Sequence, residues 1–184
     1  MAGVGADDMH ANTIQTTRRR AWWLAINLVT AVIASLVIGQ FENAIEKIVA
    51  LAVLMPIVAS MGGNAGTQTV TVAVRALAMG ELTAANTLRF IVKEAAVGGL
   101  NGFVFAILMG GAVVAWYGDW KLGAVIGAAM ICNLVAAALA GTLIPLGLQK
   151  MGVDPAVSST VFLTTVTDVI GFLAFLGLAT IFLL

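Results

Sequence analysis

Charge is scarce in this sequence: 10% of its 184 residues are Asp, Glu, Lys or Arg, where a soluble domain carries about 25%. Its hydrophobic share is 61% and its mean hydropathy is +1.05. That leaves too little polar side chain to cover a water-facing surface, which excludes a soluble globular enzyme. Nine Lys+Arg cancel nine Asp+Glu, so there is no excess positive charge for a nucleic-acid partner. Histidine occurs once, as His10 in a polar leader, which excludes imidazole catalysis and imidazole metal ligation in the apolar portion. The one cysteine, Cys132, cannot close an intrachain disulfide. Eight methionines are scattered without a thioether cluster, which speaks against a copper site.

What remains is apolar length. At 1.5 Å per residue and ~20 residues per crossing, it allows about five membrane spans. Residues 1–17 are small and polar, with Asp7, Asp8, Asn12 and Gln15, and lack the apolar core of a signal peptide. They read as a disordered leader or an expression remnant, and residues 18–184 as the membrane domain. Arg18-Arg19-Arg20 beside Trp22-Trp23 is a basic anchor and interfacial tryptophan pair, opening a first span that ends at Ile38. Residues 39–47 form a polar turn, and residues 48–79 a second span interrupted by Pro56. An amphipathic link over 80–93 leads to a glycine-rich third span over 94–116. A turn at 117–121, a fourth span over 122–148 containing Asn133, a polar turn and a last span over 156–184 complete the chain.

With the N-terminus inside, Arg18, Arg19, Arg20, Arg75, Arg89, Lys93 and Lys150 are cytoplasmic, and only Lys47 and Lys121 are outside. The positive-inside rule therefore predicts an all-α membrane protein of five helices, N-terminus in and C-terminus out.

In that arrangement Asp7, Asp8, Glu81, Glu94 and Asp154 lie at or near the inner face, while Glu42, Glu46 and Asp119 lie outside. Asp168 alone lies at depth, about a dozen residues into the last span, or roughly 17 Å at 1.5 Å per residue. An isolated Asp near the bilayer centre costs about 2.5–3.5 kcal/mol on insertion scales, so it has to face protein, water or a cation. The sequence offers it no basic partner at that level. Thr160, Thr164, Asp168 and Gly171 follow at steps of four, four and three and share one helical stripe; Thr165 and Thr167 widen it. In the second span Asn64, Thr67, Gln68 and Thr71 sit at i, i+3, i+4 and i+7, with Arg75 one turn further. Gly62-Gly63 just before them predicts a break or a close backbone approach. The third-span glycines and Asn133 read as packing devices. The second-span amides and hydroxyls exceed what packing needs.

Carboxylate, amide and hydroxyl oxygens suit a hard cation such as Mg²⁺, Ca²⁺ or Mn²⁺, whereas zinc and copper favour His or Cys. One deep Asp supplies one negative charge. Two chains about a twofold axis supply two, which neutralises a divalent ion, so charge balance predicts a homodimer with the pore on or near the axis.

These residues also carry a resemblance. The run from Pro56 through Ser60-Met61-Gly62-Gly63-Asn64-Ala65-Gly66-Thr67-Gln68, continuing to Val74-Arg75-Ala76-Leu77-Ala78-Met79-Gly80-Glu81-Leu82, resembles the signature second span of the MgtE family of magnesium channels and transporters. Arg18-Arg19-Arg20, Lys93-Glu94, Gly152-Val153-Asp154-Pro155-Ala156 and Thr164-Thr165-Val166-Thr167-Asp168-Val169-Ile170-Gly171 extend the likeness over essentially all of 18–184. The resemblance implies a homodimer in a bacterial inner membrane, with second and fifth spans lining a central pore. Asp168 matches the family's pore aspartate, which holds hydrated Mg²⁺ jointly with its dimer mate. Thr164 and Thr160 stand where family members supply further oxygens to the metal. Asn64, Thr67 and Gln68 match polar positions of the pore-lining span, with Thr71 and Gly171 on the same stripes. Mg²⁺ is thus the expected bound and transported ion. Family members carry a long cytosolic half with paired CBS modules that sense Mg²⁺ and close the pore. Only 17 residues precede Arg18 here, so the expectation is an isolated membrane portion or a natural short form, with the pathway but not the gate.

The leading expectation is Mg²⁺ permeation down its gradient. Within transport the alternative is a proton- or sodium-coupled carrier using Asp168. An intramembrane hydrolase lacks both a Ser–His pair and a second deep aspartate, and a structural membrane subunit would be poorly served by a deep, unpaired Asp.

Overall fold

A computed structural model describes residues 12–83 and 85–184, without the side chains of Arg19 and Val157. Most of the expected leader, including Asp7, Asp8 and His10, lies outside the described residues. Every regular element among them is a helix: α1 (Thr13–Gly39), α2 (Glu42–Lys47), α3 (Ala50–Ala78), α4 (Thr87–Tyr117), α5 (Trp120–Lys150) and α6 (Pro155–Leu183). All but α2 are long and apolar enough to cross a membrane.

Local chemistry sets the helix ends. The Asn12 side chain accepts from the Ile14 N–H, so α1 begins inside the segment expected as leader. The polar turn after it contains the short helix α2, with Glu42 in its first turn and Lys47 in its last, the signs that suit a helix dipole. Gly118 stops α4 in the left-handed region (φ 69°), a conformation that costs glycine nothing. Asp119 then caps α5, its Oδ1 accepting from Lys121 N (2.8 Å) and Leu122 N (3.2 Å). Asp154 caps α6 through Ala156 N (2.9 Å), with Pro155 in the first turn, where a missing N–H is harmless.

The α3–α4 link is tied by Asn86, whose side chain accepts from Thr83 N and donates to the Glu81 carbonyl. As a result α4 starts at Thr87, two turns earlier than the expected third span. Glu94 therefore sits two turns inside α4, and it is buried.

α5 is the innermost helix, packing against α3, α4 and α6; α3 also packs on α6, and α1 packs mainly on α6. Lipid tails are as apolar as leucine, so close backbone approach has to hold such helices together. Small residues provide that approach. A Cβ on Gly98 would lie 2.8 Å from the Leu134 carbonyl oxygen, one on Gly102 2.9 Å from Ile131 Cα, and one on Gly110 2.9 Å from the Gly123 carbonyl oxygen. The packing expectation for the third-span glycines is borne out at these three, whereas Gly111 faces open space and Gly99 has only Val135 at 3.9 Å. α1 leaves Leu24, Leu28, Val29 and Leu36 exposed, as a lipid-facing helix should.

The buried side chains form two apolar clusters, the smaller being Val70, Ala140 and Leu163. Leu51, Leu54 and Val58 of α3, Ile126 and Met130 of α5, and Phe175 and Leu176 of α6 form an apolar core toward the start of α3. The other half contains Thr69, Glu94, Thr142, Ser158, Ser159 and Thr167, all buried.

Gly98→Ala should lower the thermal unfolding midpoint in detergent, because overpacking against fixed backbone costs about 1–3 kcal/mol. Gly111→Ala, where a Cβ meets open space, should leave the midpoint unchanged or slightly raised. Equal effects of the two would contradict this packing.

Candidate ion-binding face of α3 and α6

The glycines of the signature run divide between two faces of one continuous helix. Gly62 and Gly66 are buried; a Cβ on Gly62 would meet the Asn133 amide, and one on Gly66 would meet Leu163 of α6 at 2.5 Å. Gly63 faces open space. α3 runs unbroken through both positions, so Gly62-Gly63 provides the close approach and not the break.

Asn133 fixes the level of the site. It is fully buried on α5, and its Nδ2 donates to the Val58 carbonyl of α3 at 2.8 Å. The same amide lies against Gly171 of α6, where a Cβ would stand 2.7 Å from Nδ2. Two contacts then set the register of α3 against α6: Gly66 opposite Leu163, and Gly62 opposite Gly171 through Asn133. Asn64 and Asp168 lie within the two stretches bounded by these contacts. The packing role expected of Asn133 is borne out: it makes one hydrogen bond to α3 and lies against Gly171 of α6, with Oδ1 buried and without a hydrogen-bond donor.

On α6, Asp168 and Thr164 are half-buried and Thr160 is exposed. Gly171 is on the buried edge of the stripe, under Asn133. Thr167 does not widen the polar face as expected, because it points into the bundle and is fully buried. On α3, Asn64, Thr67, Gln68 and Thr71 are all exposed in the single subunit. Gln68 also lines a crevice toward α4 and α5.

The threonines share one orientation. Thr67 Oγ1 donates to the Gly63 carbonyl and Thr71 Oγ1 to the Thr67 carbonyl, both at 2.8 Å. Thr164 and Thr165 donate to the Val161 carbonyl at 3.0 and 2.8 Å. A hydroxyl has one proton and two lone pairs. With the proton turned into the backbone, each oxygen has only lone pairs left to offer its surroundings. These faces therefore suit a cation or the hydrogens of its water shell.

Among the described residues no three His, Cys, Asp or Glu side chains come together. On these two faces the carboxylate is Asp168, and the other polar groups are neutral.

Comparison with known proteins bears on the same residues. The profile of the MgtE family, described as a divalent cation transporter, matches residues 55–178. The chain belongs to the MgtE family. The matched stretch contains Asn64, Thr67, Gln68, Thr71, Glu94, Asn133, Thr160, Thr164, Asp168 and Gly171. The chain is 35% identical over 183 residues to the "Magnesium transporter MgtE" of Enterococcus faecalis, covering 100% of this chain and 40% of that protein. It is 35% identical over 165 residues to the protein of the same name from Bacillus subtilis (90% and 37%), and 35% over 164 residues to that of Thermus thermophilus (89% and 36%). The chain thus spans about two-fifths of the length of these curated relatives. They are bacterial transporters and not enzymes, and five membrane-crossing helices agree with that.

The burial of Glu94 was missed by sequence reading, although a signal was present. Glu94, Gly98 and Gly102 are spaced i, i+4, i+8, so the carboxylate continues the face whose glycines pack on α5.

A double-mutant cycle tests the Asn133 bridge. Gly62→Ala and Asn133→Ala should each destabilise the protein by about 1–3 kcal/mol, through overpacking and through loss of a buried polar contact. Combined, they should cost less than the sum, because truncating the Asn133 amide leaves room for the new methyl on α3. Strict additivity of the unfolding free energies would contradict direct contact.

Proposed function

We propose that this chain forms the membrane pathway for Mg²⁺, as a homodimer in the bacterial plasma membrane with the N-terminus inside and the C-terminus outside. The α3 and α6 faces of two subunits line a pore on the twofold axis, and the two Asp168 carboxylates bind one hydrated ion between them. The observation that carries this reading is the half-buried Asp168 carboxylate at mid-helix, on a face with hydroxyls whose protons are spent on their own backbone. The names of the relatives support Mg²⁺ as the ion, and the seven-to-two split of basic residues supports the orientation.

The parts divide the work. Mg²⁺ sheds its water reluctantly and is usually held by one or two carboxylates plus retained waters. Asp168 supplies attraction: at an effective dielectric of about 20, a charge pair 4 Å apart is worth about 4 kcal/mol, and less when a water intervenes. Asn64, Thr67 and Thr71, with Thr164 and Thr160, orient the water shell and so govern which ion passes. A membrane negative inside contributes about 4.6 kcal/mol per divalent ion per 100 mV, twice the single-charge value, so inward flow needs no chemical coupling.

Mg²⁺ flux into proteoliposomes tests the proposal. Asp168→Asn should reduce flux tenfold or more. Asn64→Ala and Thr67→Ala should change the Mg²⁺/Ca²⁺ preference more than the total rate. Undiminished Mg²⁺ flux in Asp168→Asn would refute the assignment.

A further inference from the structure

We infer that the crevice between α3, α4 and α5 is a second cation site, for a monovalent metal ion, built from Glu94 with Thr69, Gln68 and Asn101. The crevice has a volume of about 210 Å³ and is lined by the two amides, the hydroxyl and the carboxylate among small apolar residues. Glu94 is 8% exposed and Thr69 7%. Their contact is long, with Thr69 Oγ1 donating to Glu94 Oε2 at 3.3 Å. One weak hydroxyl contact does not compensate the removal of a carboxylate from water, and none of the lining residues is basic. Val72 and Val97, 47% and 41% exposed, also line the crevice and give it an apolar rim.

The donor set decides the ion class. A carboxylate, a hydroxyl and two side-chain amides offer hard oxygen ligands, and a space several times the ~30 Å³ share of one water admits an ion with part of its shell. Within the subunit the site holds one negative charge, that of Glu94. A single positive charge therefore balances it. Bound there, the ion would hold α3 to α4 and orient Gln68, four residues from Asn64 on the face proposed for the pore. This site stands on the α3–α4–α5 geometry and does not require the Asp168 reading.

The test is the thermal unfolding midpoint of the purified chain in detergent without Mg²⁺, titrated with NaCl or KCl against choline chloride at constant ionic strength. Na⁺ or K⁺ should raise the midpoint saturably above choline, and the comparison of the two identifies the preferred ion. Asp168→Asn should retain that rise, and Glu94→Gln should abolish it. Should Glu94→Gln fail to fold, Thr69→Val and Asn101→Ala keep the carboxylate and should weaken the apparent affinity about tenfold. An equal rise in choline, a rise that survives Glu94→Gln or both milder variants, or a rise lost in Asp168→Asn would overturn the inference. A Glu94-dependent rise with Mg²⁺ alone would also overturn it.

Discussion

A carboxylate halfway along an apolar helix is the constraint on which the rest depends. Asp168 cannot be sealed into oil at acceptable cost, so the helices around it have to keep one face polar while remaining closely packed on the other. Both needs are visible in α6. Thr164 and Asp168 are half-buried on one side, while Leu163 and Thr167 beside them are fully buried. Turning each threonine proton back to a carbonyl of its own helix satisfies the hydroxyl without a partner helix, which leaves the polar face free for an ion and its water.

The same constraint explains why α5 is central and why it carries Asn133. A polar face is useful only if α3 and α6 present theirs at one depth, and two smooth apolar helices can slide along each other. Asn133 opposes sliding, because its amide is held by the Val58 carbonyl and fitted against two glycines, Gly62 and Gly171. Larger residues at either glycine would push the amide away, and an apolar residue in place of Asn133 would leave the register to shape alone. The glycines of α4 perform a simpler task, bringing that helix onto α5 at backbone distance.

Much of this was legible in the sequence. Hydropathy and the basic anchors gave the five long helices, and helical spacing grouped Thr160, Thr164 and Asp168, as it did Asn64, Thr67 and Thr71. Periodicity within one helix was unable to say which edge of a stripe turns inward, so Thr167 was grouped with the polar face and Gly171's contact with Asn133 was not foreseen. Nor does local spacing encode partners far apart in the chain. Val58 and Asn133 are 75 residues apart, and Thr69 and Glu94 are 25 apart. Glu94 reads from the sequence as lying at or near the inner face; its burial follows from a partner on another helix and from an α4 that already begins at Thr87.

The central claim is that two chains share one ion through paired aspartates. Equilibrium titration of the purified protein with Mg²⁺, monitored by calorimetry, measures that directly as a stoichiometry. The account predicts one Mg²⁺ per two chains at the tightest site, lost in Asp168→Asn. One Mg²⁺ per chain, or a tight site that survives Asp168→Asn, would contradict it.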